Sequence, residues 1–122
     1  MAINGINLPL AITGQESVWY KVWRQLGLSD QEVREYFTGP AHLPWHRMSN
    51  IDKWQGPLPH SWLKGQLALQ KQIVAREREL NMTPVLPAFA GHVPQQITEL
   101  YPQADIKQLS PWCGFAPTYF MN

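Results

Sequence analysis

Cysteine is nearly absent from this sequence. Cys113 is the one example in 122 residues, so the chain has no internal disulfide framework and no cysteine-built metal cluster. Beside Trp112 and Phe115, that thiol reads as a small packed residue rather than a reactive one. Charge is sparse and unclustered: ten basic and nine acidic side chains leave a formal net charge of +1. With no basic run, nothing points to nucleic acid or to an anionic membrane surface. Long hydrophobic runs are missing too, and none approaches the ~20 residues that span a bilayer. The opening MAINGINLPLAIT has no basic stretch and no clear cleavage site, so it is not read as a signal peptide. The histidines His42, His46, His60 and His92 show no ligand spacing, and no set supplies the three or four groups a metal requires. No metal and no cofactor is therefore expected.

What the chain does hold is proline and tryptophan, eleven and six respectively. The tryptophans suit a surface that stacks on flat ligands. The prolines fall in unexpected places. NMTPVLPAFAGHVP, residues 81–94, reads as a strand, yet Pro84 and Pro87 lie inside its apolar run, where each removes a ladder donor. INLPLAI, residues 6–12, has the same form: asparagine, an apolar run with proline, then Gly14 as the later run has Gly91. Between and after the two runs, helical periodicity recurs. Val18, Trp19, Val22, Trp23 and Leu26 are expected on one face, with Gly27 as the stop. Ser29 to Glu32 forms a capping box ahead of a stripe of Val33, Tyr36 and Phe37. A long ordered loop is expected over residues 40–61. A helix over 61–80 follows, with Leu63, Leu67, Ile73, Val74 and Leu80 inward. A short helix starts at Pro94 with Ile97, Leu100 and Tyr101 inward, and the last twenty residues read as loop.

This repeated pattern predicts an α/β chain, with short parallel strands at Ile6 to Ile12 and Pro84 to Phe89 joined by helical crossovers. Short proline-bearing strands suggest a barrel, with chemistry at the strands' C-terminal ends, here Gly14-Gln15-Glu16 and Gly91-His92. A complete (β/α)8 barrel needs about 250 residues. The expectation for residues 1–122 is therefore a partial (β/α)8 TIM barrel, about two parallel strands with flanking helices and long loops. The helical turn at MAINGIN and the loop-like Thr118 to Asn122 agree with a fragment of a catalytic domain.

Four segments in order, NGINLPLAITGQE, YFTGPAHLPWHRM, WQGPLPHSW and MTPVLPAFAGHVP, resemble the N-terminal part of the catalytic barrel of the α-N-acetylglucosaminidases, glycoside hydrolase family 89. The resemblance runs along almost the full length. It implies a (β/α)8 fold and release of terminal α-linked N-acetylglucosamine from glycans or glycosaminoglycans with retention of configuration. Retention needs two carboxyl groups about 5 Å apart. In the family both are glutamates on later strands, the first in an Asn-Glu pair, and this chain has no such pair. No catalytic residue is expected here. The chain would need the rest of its barrel, and alone should be inactive. The family also implies a secreted, periplasmic or lysosomal location.

The expected partner is a carbohydrate ending in N-acetylglucosamine, whose apolar ring face and acetamido methyl suit aromatic rings. By resemblance, Trp45 in LPWHRM and Trp112 in SPWCGF match pocket tryptophans; packing of their own loops is the other reading of each. Trp19, Trp23 and Trp62 read as core. Glu16 is either a first-turn helix residue favoured by the dipole or a carboxylate holding a sugar hydroxyl. His92 is either a hydrogen-bonded structural group or a side chain at the pocket, with Gly91 turning the backbone out of the strand. His46 and Arg47 are expected to hold the Trp45 loop through buried hydrogen bonds. Glu77, Glu79 and Glu99 read as solvated charges, and Asp52 and Asp105 as loop residues. A non-catalytic carbohydrate-binding piece and a purely structural α/β fragment are the alternative functions.

Overall fold

The computed structural model describes residues 1–122. Its elements run in the order α1 (Gln15–Gln25), α2 (Asp30–Tyr36), α3 (Leu43–Arg47), α4 (His60–Glu79), β1 (His92–Val93), α5 (Ile97–Leu100), β2 (Ile106–Gln108) and β3 (Tyr119–Met121), with 3-10 turns at Ala2–Asn4 and Pro40–His42. No helix is long and apolar enough to cross a membrane. Two compact units divide the chain: Met1–Trp19 with His60–Ala88, and Tyr20–Pro59 with Phe89–Asn122.

In the first unit the two proline-bearing runs meet, but neither is a strand. Leu10 and Val85 form one isolated parallel bridge. Around it, Thr83 N donates to Asn7 O at 2.7 Å, Val85 N to Pro9 O at 2.9 Å, and Ala11 N to Val85 O at 2.8 Å. A regular parallel ladder would next ask Pro9 to donate to the Thr83 carbonyl and Pro87 to donate to the Ala11 carbonyl. Neither residue has an N–H, so the pairing stops on both sides. Pro84 costs nothing, because its nitrogen lies on the opposite side of the run from Thr83 and Val85. The Ala11 carbonyl that Pro87 cannot serve accepts instead from Gln70 Nε2 of α4, at 2.8 Å. Ser17 Oγ, in the first turn of α1, donates to the Leu63 carbonyl. Ala11, Leu63 and Met82 are buried here, none more than 6% exposed. The expected strands thus reduce to a single bridge, and the reason is proline.

The second unit carries the regular sheet, which is antiparallel and was not anticipated. Its strand order is β1-β3-β2, with His92 opposite Phe120 and Val93 opposite Tyr119 on one side of β3, and Ile106 opposite Met121 on the other. Of the last twenty residues, read as loop, Ile106–Gln108 and Tyr119–Met121 form strands and the remainder is turn and loop. Capping proceeds as the sequence dictates at α2: Ser29 Oγ accepts from Glu32 N at 3.2 Å, and Glu32 Oε2 accepts from Ser29 N at 2.7 Å. The stripe this helix buries is Val33, Tyr36 and Phe37, each 1% exposed or less. Trp23 packs edge-on against Tyr36 and Phe89, both with ring centroids 6.4 Å away. Leu28, Leu43, Ile51, Leu58, Val93 and Ile97 complete this core.

Other expectations also need correction. The loop over 40–61 contains α3, whose first turn accommodates Pro44 because that N–H has no intrahelical partner to lose. On α1, Trp19 and Trp23 form the buried row, while Val18 and Val22 lie on the adjacent row and are exposed. Leu80 and Leu100 are exposed as well. Glu77, read as a solvated charge, is 7% exposed; Asp52 lies in a loop as expected and is buried there, also 7% exposed; and Cys113, read as packed, is exposed.

Candidate functional site

Five of the six side chains singled out from the sequence lie in the second unit: Trp45, His46, Arg47, His92 and Trp112. Glu16 belongs to the first.

The α3 turn splits its residues by face. Leu43 and His46, three apart, point inward at 3% and 0% exposure, while Trp45 stays 37% exposed. Trp45 has His42 as its ring neighbour, at 6.3 Å. His46 is enclosed by aromatic rings: Tyr36 at 4.8 Å, Phe37 at 5.4 Å and His92 at 4.8 Å. Burial pushes its imidazole well below the usual histidine range. The charge on His92 and that on Arg47 push the same way, against a hydrogen bond with the Ile51 backbone. His46 is therefore a buried neutral ring.

His92 opens β1 and is 1% exposed. Its Nδ1 lies 3.0 Å from the His46 carbonyl, and its Nε2 lies 3.6 Å from Asp52 Oδ2. Tyr36 sits over the same ring at 5.2 Å. Its hydroxyl is pushed well above the usual tyrosine range, first by burial and then by the charge of Asp52. Of the two readings of His92, the hydrogen-bonded structural group matches these surroundings. Both ring nitrogens face protein atoms. The segment holding Asp52 is tied down on both flanks: Lys53 N donates to Tyr36 O at 3.0 Å, Gly39 N donates to Trp54 O at 2.7 Å, and Thr118 Oγ1 donates to Ser49 O at 2.7 Å.

Trp112 is half-exposed, at 37%. It stacks on Phe115 with centroids 6.3 Å apart and planes 17° off parallel. Trp54, 44% exposed, meets Phe115 edge-on with centroids 5.1 Å apart. Two indoles and a phenyl ring thus form an exposed aromatic surface. Glu16 is 1% exposed and sits in the first turn of α1, where the helix dipole favours a carboxylate. No group of three or more His, Cys, Asp or Glu side chains is placed to hold a metal ion.

Sequence reasoning placed Tyr36 in a buried stripe and Asp52 in a loop without linking either to His92, and it missed the pairing of Trp54 with Phe115. For Asp52 the available signal was its neighbour Ile51, a buried aliphatic that pulls the loop inward. For the aromatic group there was none, because Trp54 and Phe115 are brought together by the fold of two separate loops.

An α/β chain whose exposed aromatic surface suits the apolar face of a sugar ring is compatible with part of a glycoside hydrolase barrel. Comparison with known proteins makes this specific. Residues 1–122 match the family described as Alpha-N-acetylglucosaminidase (NAGLU) tim-barrel domain, and the chain belongs to that family. It is 50% identical over 119 residues to the α-N-acetylglucosaminidase of Homo sapiens, covering 98% of this chain and 16% of the human protein. A family 89 glycoside hydrolase from Clostridium perfringens, solved in complex with 2-acetamido-1,2-dideoxynojirmycin, superposes with a TM-score of 0.89 at 35% identity. That match covers 97% of this chain and 13% of the clostridial one. The same clostridial enzyme, with two glutamates replaced by glutamine, has been solved with its substrate GlcNAc-alpha-1,4-galactose at the same TM-score. The chain thus spans under a fifth of the relatives it matches.

Proposed function

We propose that this chain forms part of the sugar pocket of a retaining exo-glycosidase that hydrolyses terminal α-linked N-acetylglucosamine. The carrying observation is the full-length match to the α-N-acetylglucosaminidase barrel family, whose clostridial member has been solved with an N-acetylglucosamine disaccharide. The runs around Leu10 and Val85, which meet in parallel, are neighbouring barrel strands in this reading, each shortened by its prolines. Trp45 and Trp112 offer ring faces to the sugar; their partial exposure and the stacked support of Phe115 behind Trp112 suit that role. Stacking of this kind matches the apolar face of an acetamido sugar. Glu16, in the first unit, is a candidate acceptor for a sugar hydroxyl. His92 works from behind it, as His46 does, by fixing the loop on which Trp45 rides, and Arg47 holds the outer side of the same turn.

The two carboxylates that retention requires come from later in the parent polypeptide. The buried carboxylates are Asp52 in one unit and Glu16 and Glu77 in the other, and in this reading none of them is the acid/base or the nucleophile of the double displacement. The test is turnover of a chromogenic α-N-acetylglucosaminide. The 122-residue chain alone should give none above a no-enzyme control. The natural polypeptide containing it should release N-acetylglucosamine, with the α-anomer formed first by NMR. Turnover by the 122-residue chain, or inversion by the parent, would overturn the reading.

A further inference from the structure

We propose that Asp52 is a positioning residue: its carboxylate pairs across 3.6 Å with a proton-bearing His92 Nε2 and so clamps the 49–55 segment onto the start of β1. This role is distinct from the sugar contacts, although the benefit to Trp45 and Trp54 rests on the pocket reading above.

Hydrogen-bond accounting leads to the proton. The carbonyl of His46 can only accept, so the contact at 3.0 Å makes His92 Nδ1 the donor. A neutral imidazole protonated at Nδ1 presents a lone pair at Nε2. That lone pair would face Asp52 Oδ2 across 3.6 Å, with the two side chains 0% and 2% exposed. Neither atom has another hydrogen-bond partner. Two acceptors facing each other in a dry interior repel, and each forfeits its water. A proton between them removes the conflict and turns it into attraction. The groups facing the pair fit this arrangement. Tyr36, from α2, keeps its hydroxyl neutral beside Asp52, and His46, from α3, stays neutral beside His92, with Arg47 further along the same turn. Neither Tyr36 nor His46 brings a competing charge to the Asp52–His92 contact.

The segment needs such a clamp. Ser49, Lys53 and Gln55 all adopt positive φ, at 65°, 55° and 56°, a conformation that side chains with a Cβ disfavour. Strain of this kind persists only where the surroundings over-determine the backbone. Asp52 lies in the middle of it. Backbone hydrogen bonds from Lys53 to Tyr36 and from Gly39 to Trp54 hold one flank; the Asp52–His92 contact ties the segment to the strand end.

The test is long-range proton–nitrogen NMR on the full 15N-labelled chain near pH 7. The proposal expects protons on both ring nitrogens of His92. In Asp52→Asn the amide can donate to Nε2, so His92 should become neutral with its proton on Nδ1, and the Trp45 and Trp54 indole signals should stay in place. In Asp52→Leu no donor or charge remains, so those indole signals should shift and the melting temperature should fall by at least about 5 °C. If Asp52→Leu does not fold, the Asp52→Asn spectrum still decides. An unprotonated Nε2 in the parent chain, or indole signals unmoved in a folded Asp52→Leu, would overturn the proposal. The readout involves no sugar. If the spectra match while Asp52→Leu leaves catalysis in the parent enzyme unchanged, the pocket reading fails and the clamp stands.

Discussion

The ring of Phe120 lies directly across Gly91. A Cβ added at residue 91 would stand 2.3 Å from that ring, and Gly91 has φ +93°. Phe120 pairs with His92 in the β1–β3 ladder, and Met121 N donates to Gly91 O at 2.7 Å. Two requirements therefore converge on one glycine: a left-handed backbone and no side chain.

Gly91→Ala should cost about 2 kcal/mol or more, the strain of the backbone adding to that of displacing an aromatic ring. Gly114→Ala is the control, since Gly114 has φ +80° but nothing within 4 Å of the added methyl; it should cost about 1 kcal/mol. Thermal melts of the two variants separate the terms. Equal losses would mean that Phe120 gives way freely.

Ser29→Ala should remove about 1 kcal/mol, the ordinary worth of an N-cap hydroxyl. The reciprocal bonds between Ser29 and Glu32 make α2 dependent on that cap, and α2 carries Tyr36 into the buried cluster. Urea titration should show a lower midpoint with an unchanged slope.

Acidification should destabilise the chain through His46. Its imidazole is pushed down in the folded state, so the unfolded chain binds the proton first. The contribution is intact above the ordinary histidine range near 6.5 and is lost as pH falls through it. One such group adds at most about 1.4 kcal/mol per pH unit. His46→Phe should flatten the stability profile between about pH 6.5 and 5; an unchanged slope would show that other groups set it.

In the parent enzyme, Trp45→Ala and Trp112→Ala should each lower kcat/KM by at least about tenfold with the melting temperature preserved, because a stacked ring gives up a few kcal/mol of contact. Trp23→Ala should do the reverse. That indole is 4% exposed between Tyr36 and Phe89, and its loss should cost about 3–5 kcal/mol of stability. Normal kinetics in both exposed-tryptophan variants would reduce those rings to loop packing.

The parts of this architecture legible in the sequence are those set by neighbouring residues. The Ser29–Glu32 box, the Val33–Tyr36–Phe37 stripe and the long helix over His60–Glu79 follow from spacing alone. Periodicity did not reveal which of two adjacent rows on α1 turns inward, because Val18 and Val22 are as apolar as the buried Trp19 and Trp23. The β1–β3–β2 sheet was illegible for another reason: its strands are two or three residues long, too short for alternation to show. The tryptophans of the candidate site stood out by residue type and by family resemblance. The Asp52–His92 contact did not, because it joins residues 40 positions apart that carry no shared pattern.

Pro84, which the native pairing of the two runs does not feel, acts instead on encounters with other chains. Ile6, Leu8 and Leu10 are exposed, and so are Val85, Leu86 and Phe89. Apolar segments of this kind with free backbone edges are templates on which a foreign strand can grow. Pro84 turns its nitrogen to the side of its run away from Thr83 and Val85, so a strand docking along that edge meets a missing donor there. The proline that costs the native pairing nothing thus guards a sticky edge against cross-β growth, as gatekeeper residues do beside hydrophobic stretches that cannot be dispensed with.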